Sequence, residues 1–169
     1  MKRLVFTFGT LYVDEIIKAL FGVIPKHFYA TLPGFGVYKG TYAQLPEPAQ
    51  NKLKDHVDTN TFSFLFAKPD PSSSVNGRVY EVDLEQEMIL DYWEVYPDWY
   101  RKQAVKVRSE EGEEHKAIIY TVNYEGEKLE HFERVVNDLD GVIKNAKAAR
   151  QRVIDKFPPG GHQISGVKE

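Results

Sequence analysis

The stretch LDYWEVYPDWYRK, residues 90–102, places one glutamate, Glu94, in a strongly aromatic setting. Its aromatic neighbours, which include both tryptophans of the chain, are Tyr92, Trp93, Tyr96, Trp99 and Tyr100. Aromatic side chains desolvate a carboxylate, and Asp91 adds a like charge three residues earlier. Both effects are expected to raise the pKa of Glu94, which suits a general base working near neutral pH. The alternative is that the aromatics form core and Glu94 is an ordinary surface acid.

A second candidate site lies in FTFGTLYVDE, where a predicted strand ends at Gly9-Thr10 and leads toward a helix. Such a turn presents successive backbone N–H groups, which bind a carboxylate or a developing oxyanion. The alternative, which the turn by itself favours, is a tight turn with a capping threonine and no ligand.

Other chemistries find little support in the sequence. The chain has no cysteine, which excludes disulfides, zinc ribbons and thiol catalysis. Its five histidines lie far apart with no i,i+4 pair, so nothing recommends a metal site, and we expect no cofactor. Gly34, Gly36 and Gly40 do not fit G-x-G-x-x-G, and neither a phosphate loop nor a G-x-S-x-G elbow is present.

The bulk composition bounds the class of protein. A length of 169 residues suits one domain, and 42% hydrophobic residues suffice for a core. The 22 basic and 25 acidic residues are interspersed, so we expect no nucleic-acid partner and no anionic membrane surface as partner. Because no long apolar run precedes Asp14, we expect a cytoplasmic protein without a signal peptide or membrane span.

Short strands dominate the predicted framework. Alternating apolar residues predict strands at Lys2–Phe8, 62–66 and 78–83, and two strand pieces within Phe28–Gly40, broken by Pro33-Gly34. Residues 101–108 and 116–123 indicate a hairpin around SEEGEE. Polar residues predict a surface excursion at 43–61 and a plain loop at 68–77. This pattern is typical of an α+β protein with a mainly antiparallel sheet or barrel.

Two short helices are predicted among the strands. Asp14 is expected to cap a helix over residues 15–21, with Gly22 just past its end. Asp83 and Gln86 resemble a capping box for a helix from Leu84 to about Trp93.

The C-terminal part has the spacing of a helix, unlike the strands that precede it. Apolar residues spaced by three and four form a stripe from Leu129 to Phe157, interrupted by Arg150, which predicts a long helix. Gly141, at a cost of about 1 kcal/mol relative to alanine, is expected to bend or break it. We expect a firmly docked first half and a loosely docked second half, followed by a loose tail.

Several segments together resemble the gamma-glutamylcyclotransferase-like (avirulence-induced-gene-like) family. In order, they are FGTL, ATLPGFGVYKG, VNGRVYEVD, LDYWEVYPDWYRKQAVKV and AIIYTV, and they cover roughly residues 4–123. The resemblance implies a small mixed, mainly antiparallel β-barrel with short helices and a site at one mouth. We therefore predict a barrel domain at 1–127 with an insertion at 43–61, a C-terminal helical extension at 128–157 and a flexible tail at 158–169.

The resemblance also implies the site residues. The glutamate of the family's Leu-Asp-x-x-Glu segment acts as the base, and that position is Glu94. The family's Gly-Ser/Thr turn binds substrate through its backbone, which corresponds to Phe8, Gly9, Thr10 and Leu11. The tyrosine of the late strand, Tyr120, faces the pocket. One departure bears on substrate choice: the turn's usual leading tyrosine is Phe8, which lacks the hydroxyl.

The implied reaction is intramolecular aminolysis of a small-molecule γ-glutamyl amide or amine. Its free α-amine attacks the side-chain amide and releases an amine and 5-oxoproline, with no metal or cofactor. The alternative is a non-catalytic small-ligand-binding or interaction domain on the same fold. Two-carboxylate hydrolysis fits poorly, because Asp91 and Glu94 on one helix cannot easily flank a glycosidic bond from both sides. The sequence does not indicate an oligomeric state.

Overall fold

The N-terminal strand leads into the first helix through a short turn. Residues 1–132, 136 and 138–158 are described in the computed structural model of the protein. Strand β1 (Arg3–Thr7) is followed by a 3-10 helix (Thr10–Tyr12) and by helix α1 (Asp14–Phe21), in agreement with the prediction. Helix α1 ends at Gly22, whose φ of 76° glycine adopts without steric cost.

The start of α1 differs from the prediction. Val13, not Asp14, occupies the N-cap position, and no side chain caps the helix. The carboxylate of Asp14 instead forms an ion pair with Arg78.

Strands β2 (His27–Thr41) and β3 (Ser63–Val82) form the longest antiparallel pairing of the described chain. The prediction of a loop at 68–77 is wrong, because this segment continues β3 through its two prolines. Its prolines and serines favour turns locally, but both ends of the segment, 68–69 and 74–77, pair with β2 and hold it within the strand. The predicted break at Pro33-Gly34 is a shift of register between Pro33 and Phe35 within one continuous strand.

The sheet closes into a barrel. Strands β4 (Arg101–Ser109) and β5 (Glu114–Thr121) form the predicted hairpin, and β6 (Glu127–Leu129) pairs with β2. The strand order is β3-β1-β5-β4-β2-β6, and β2 also pairs with β3, so β1 to β5 form a closed ring. Among the described strands, only β1 and β5 pair in parallel. The predicted α+β class with a mixed, mainly antiparallel barrel is confirmed.

Helices pack on one face of the barrel strands. Helix α2 (Glu47–Leu53) lies within the predicted surface excursion, and helix α3 (Leu84–Trp93) has the predicted bounds. Successive strand residues point to opposite faces. Val5 accordingly joins a buried cluster that includes residues of the helices, whereas its neighbour Phe6 joins a cluster built from the strands.

The C-terminal helix α4 (Leu139–Lys156) is shorter than predicted. Leu129 belongs to β6, and Phe132 packs against Phe8 of the barrel, so the first apolar residues of the stripe are barrel core. Asp138 caps α4 by accepting a hydrogen bond from the N–H of Gly141 at 3.2 Å, so Gly141 lies in the first turn and does not interrupt the helix. Residues 133–135 and 137 of the predicted helix lie outside the described residues.

The far half of α4 is docked, contrary to the prediction of loose packing. Ala146, Ala149 and Val153 are buried, and the helix contacts α1 and α3. Small side chains let helix axes approach closely, which is how a stripe poor in large apolar residues still forms an interface.

The predicted domain boundary at 127 falls inside β6. The predicted tail, 158–169, lies beyond the described residues except for Pro158. In the described part of the chain, no helix combines the length and hydrophobicity needed to cross a bilayer.

Candidate active site

A cavity of about 830 Å³ lies where the end of β1 meets three of the helices. Its walls come from the turn after β1, from α2 and the residues before β3, from the end of α3, from β5 and from α4. Every site residue predicted from the sequence lines this single cavity. They are Phe8, Gly9, Thr10, Leu11, Glu94 and Tyr120.

Glu94 is positioned by the end of helix α3. The predicted capping box fixes the start of the helix, since Asp83 accepts from the Gln86 N–H at 2.8 Å and Gln86 accepts from the Asp83 N–H at 2.9 Å. At the other end Glu94 is the C-cap residue, and its N–H donates to the Leu90 carbonyl at 2.8 Å. Val95 then adopts a φ of 51°, in the left-handed region that β-branched residues rarely adopt. Such backbone outliers cluster at functional sites.

The carboxyl group of Glu94 has a strongly perturbed proton affinity. Burial in the aromatic cavity raises the pKa of Glu94 to about 8, and the nearby cation of Lys52 opposes the rise. Tyr92, Trp93, Trp99 and Tyr100 all line the cavity, whereas Tyr96 does not.

The expected like-charge contribution from Asp91 is not among the causes of the pKa shift of Glu94. Asp91 is instead engaged by two other groups. It accepts a hydrogen bond from Tyr120 at 2.6 Å and forms an ion pair with Lys102 at 2.8 Å. Its charge is therefore neutralised locally.

The turn after β1 presents backbone to the cavity. A Cβ atom added to Gly9 would meet no atom of the described residues within 4 Å, so the space beside this residue is open. Thr10 and Leu11 begin the 3-10 helix, whose first N–H groups have no partner within the helix. Phe8 is buried and makes an edge-to-face contact with Phe132, with ring centroids 6.2 Å apart. The turn therefore combines a buried aromatic anchor with exposed backbone.

Tyr120 connects the cavity to a chain of charges on the barrel wall. Its hydroxyl donates to Asp91, and Lys102 bridges Asp91 and Glu87, with Lys102 Nζ 2.8 Å from the Glu87 carboxylate. Burial first, and then the hydrogen bond to Asp91, raise the pKa of Tyr120 well above its usual range. The hydroxyl therefore keeps its proton and directs it at Asp91, which leaves its oxygen as an acceptor.

The structure adds two cations to the cavity that the sequence did not reveal. Lys52 of α2 donates from Nζ to the Tyr92 carbonyl at 3.0 Å and lies over the Tyr92 ring, 4.1 Å from its centroid. The Arg152 guanidinium of α4 lies over the same ring, 5.6 Å from the centroid. Burial lowers the pKa of Lys52 to about 8, with Glu94 opposing and Arg152 adding to the effect.

No signal in the sequence pointed to either cation. Lys52 lies in a segment with the composition of a surface loop, and Arg152 lies on a helix predicted to dock loosely. Tertiary packing alone brings them together around Tyr92. The described residues contain no group of three or more His, Asp or Glu side chains placed to hold a metal ion.

Comparison with known proteins decides the family. The family model described as gamma-glutamyl cyclotransferase, AIG2-like, matches residues 5–136. The chain belongs to this family. The family match thus includes the Gly9-Thr10 turn, Lys52, Glu94 and Tyr120, and it ends before helix α4 begins.

Two curated relatives are similar over part of their length. The chain is 31% identical over 95 residues to gamma-glutamylaminecyclotransferase C of Danio rerio, which covers 53% of this chain and 60% of the relative. It is 32% identical over 66 residues to a putative gamma-glutamylcyclotransferase of Drosophila melanogaster, which covers 39% of this chain and 42% of that one. The matched segments thus span less than two thirds of either relative.

Solved structures share the fold at low sequence identity. A structure described as gamma-glutamyl cyclotransferase superposes with a TM-score of 0.59 and 21% identity over 75% of this chain and 70% of that chain. An uncharacterized protein from Homo sapiens gives a TM-score of 0.58 and 22% identity, covering 74% and 69%. A protein from Arabidopsis thaliana gives 0.53 and 16%, covering 100% and 93%.

Proposed function

We propose that the protein cyclises a γ-glutamyl amide or amine to 5-oxoproline and releases the amine, with Glu94 as general base. The observation that carries the proposal is the shared cavity: a carboxyl group with a pKa of about 8 opens onto the same space as the backbone of Gly9 and Thr10. The names of the two curated relatives support the same class of reaction.

The chemical difficulty of this reaction is that the attacking amine is an ammonium ion at neutral pH. Ionised Glu94 takes one proton from it, and the free amine forms a bond from nitrogen to the γ-carbonyl carbon. Glu94 then returns that proton to the departing nitrogen and accepts the second proton of the new ring nitrogen. The old C–N bond breaks, and after Glu94 passes on that second proton the amine leaves as ammonium. A carboxyl pKa near the operating pH suits a group that both accepts and donates.

The remaining site residues bind and orient the substrate. The N–H groups at Thr10 and Leu11 face the carboxylate of the glutamyl end or the developing oxyanion, where preorganised donors are most effective. The Tyr120 oxygen, with its own proton directed at Asp91, accepts a hydrogen bond from the substrate ammonium. Holding the folded glutamyl chain in this way favours ring closure over extended conformers.

A second candidate function, a non-catalytic ligand-binding domain, rests on Phe8. This residue stands where the resembling family usually has tyrosine, and its ring is buried against Phe132, so the turn offers no hydroxyl at that position. The cavity would then bind a γ-glutamyl compound without turning it over.

The test is to incubate the protein with a panel of γ-glutamyl amino acids and γ-glutamylamines and to measure 5-oxoproline. Release that is lost in Glu94→Gln supports the enzyme. Saturable binding without release supports the binding domain, and the absence of both contradicts either function.

A further inference from the structure

Two cations in the cavity neither accept nor donate a proton in the proposed reaction. Lys52 and Arg152 come from different elements, α2 and α4, and both line the cavity wall. Because both lie over the Tyr92 ring, their charged groups are within about 10 Å of each other. Their charges also act on each other, since Arg152 contributes to the lowered pKa of Lys52. The two cations therefore lie near enough to attract the same anionic ligand.

Neither cation is neutralised by the described part of the protein. No carboxylate of the described residues lies within 4.0 Å of Lys52 or Arg152. One of the three ammonium donors of Lys52 is used by the Tyr92 carbonyl, and the others remain available. The guanidinium of Arg152 presents a planar fork of donors that matches a carboxylate.

The acids of the cavity supply only part of the missing charge. Glu94 acts on Lys52 from the opposite sign, but burial raises the pKa of Glu94 to about 8, so this carboxyl group is only partly ionised near neutral pH. Asp138 uses its carboxylate to cap helix α4. Two cations facing one partly dry space repel each other, and an anionic ligand between them removes that cost.

We propose that Lys52 and Arg152 form a subsite for a carboxylate carried by the departing amine. This deepens the proposed function and rests on it. Glu94 and Lys52 lie close enough for each charge to act on the pKa of the other. With the glutamyl end at the Gly9-Thr10 turn and the scissile amide at Glu94, the departing amine therefore lies beside Lys52. The preferred substrates are therefore γ-glutamyl amino acids or peptides, rather than γ-glutamyl conjugates of neutral or cationic amines.

The experiment uses γ-glutamylalanine and γ-glutamylalanine amide, which differ only in the terminal carboxylate. Turnover of both is measured with the unmodified protein, and binding of both is measured by calorimetry with Glu94→Gln near neutral pH. The turnover measurements are repeated with the single variants Arg152→Gln and Lys52→Gln, and the binding measurements with the same changes added to Glu94→Gln. Lys144→Gln is the matched control, since Lys144 lies exposed on the same helix and does not line the cavity.

We expect the acid to be preferred over the amide by about tenfold, as for a charge-assisted hydrogen bond. Arg152→Gln and Lys52→Gln should each reduce this ratio several-fold, and Lys144→Gln should leave it unchanged. Equal turnover or equal binding of acid and amide overturns the subsite while leaving the reaction intact. Preferential binding of the acid without 5-oxoproline overturns the proposed reaction and retains the subsite. If neither compound binds, the subsite is wrong.

Discussion

The Tyr120 hydroxyl lies 2.6 Å from Oδ1 of Asp91, and Lys102 Nζ lies 2.8 Å from the same oxygen. This carboxylate oxygen thus accepts a hydrogen bond from Tyr120 on the cavity side and forms an ion pair with Lys102 on the barrel wall. The arrangement fixes the orientation of the Tyr120 hydroxyl, so its lone pairs and not its proton are available to a ligand.

Replacing Tyr120 with phenylalanine should lower kcat/KM by about tenfold with little loss of stability. The hydroxyl is removed, but Asp91 keeps its ion pair with Lys102, so no buried charge is left unpaired. Steady-state kinetics with a γ-glutamyl substrate measure the effect. Tyr29→Phe is the control, because Tyr29 bonds to Arg78 away from the cavity. Equal losses in the two variants would contradict a role for Tyr120 in the site.

Replacing Glu94 with glutamine should reduce turnover by at least about 100-fold, because an amide cannot accept the proton. The shape of the side chain is kept, so the protein should fold. Glu111→Gln, in the exposed β4–β5 turn, is the control and should retain activity. A Glu94→Gln protein with full activity would exclude the proposed base.

The same variant should also change how stability depends on pH. The folded pKa of Glu94, about 8, lies above the ordinary glutamate value of 4.5, so between these values the folded state binds more protons than the unfolded state. Stability therefore falls as pH rises through this window, by at most about 1.4 kcal/mol per pH unit. Glu94→Gln should remove this decline, which urea unfolding at several pH values would show. Identical slopes in the two proteins would place Glu94 in solvent.

In the proposed mechanism Glu94 acts in its ionised form, so kcat/KM should rise with pH and level off above the Glu94 pKa of about 8. Lys52 lowers that pKa, so Lys52→Met should move the rising limb to higher pH. Profiles of both proteins against one neutral γ-glutamylamine would measure the shift. A limb that stays in place, or moves to lower pH, would show that Lys52 does not act on Glu94.

A side chain at Gly9 should prevent ligand binding without unfolding the protein. The added Cβ points into open space, so Gly9→Val fills volume that a ligand needs. Thermal shift with 5-oxoproline or a substrate should show stabilisation of the natural protein and none of the variant. Gly112→Ala is the control, because Gly112 has a φ of 86° in the β4–β5 turn. This variant should lose about 1 kcal/mol of folding stability and still bind the ligand. Normal ligand stabilisation of Gly9→Val would place the pocket elsewhere.

Enlarging Ala146 should destabilise the protein, because this residue is fully buried in the interface of α4. Ala146→Leu is expected to cost about 1–3 kcal/mol through overpacking. Ala148→Leu should cost far less, because Ala148 of the same helix is exposed at the cavity wall and has room for a larger side chain. Chemical denaturation compares the two, and equal stabilities would mean that α4 is not docked as described.

The sequence predicted local structure well where one strong local signal decided it. The capping box of Asp83 and Gln86 placed α3, and with it Glu94, because both partners of the motif lie within four residues. It failed where distant pairing decided the outcome. The prolines of 68–77 predict a loop, but the segment lies beside β2 and belongs to a strand. Leu129 fits the helical spacing, but it pairs with Val37 in the sheet.

The residues of the candidate site show the same difference between those with a local signal in the sequence and those placed by tertiary contacts. Glu94 and Gly9 are recognisable because their neighbours in the chain carry the signal, as aromatic residues and as a turn. The residues next to Lys52 and Arg152 in the chain carry no such signal, and only the docking of α2 and α4 gives the two cations a common neighbour in Tyr92. Their placement depends on tertiary contacts that no short motif encodes.

Helix α4 closes one side of the cavity, yet it begins at Leu139, three residues after the family match ends at 136. An alignment restricted to the barrel therefore compares only part of the cavity wall. Two relatives with the same Glu94 and the same Gly-Thr turn can differ along the whole wall that α4 contributes here. Transferring a substrate from one such relative to another requires a comparison of this helix, residue by residue, as well as of the barrel.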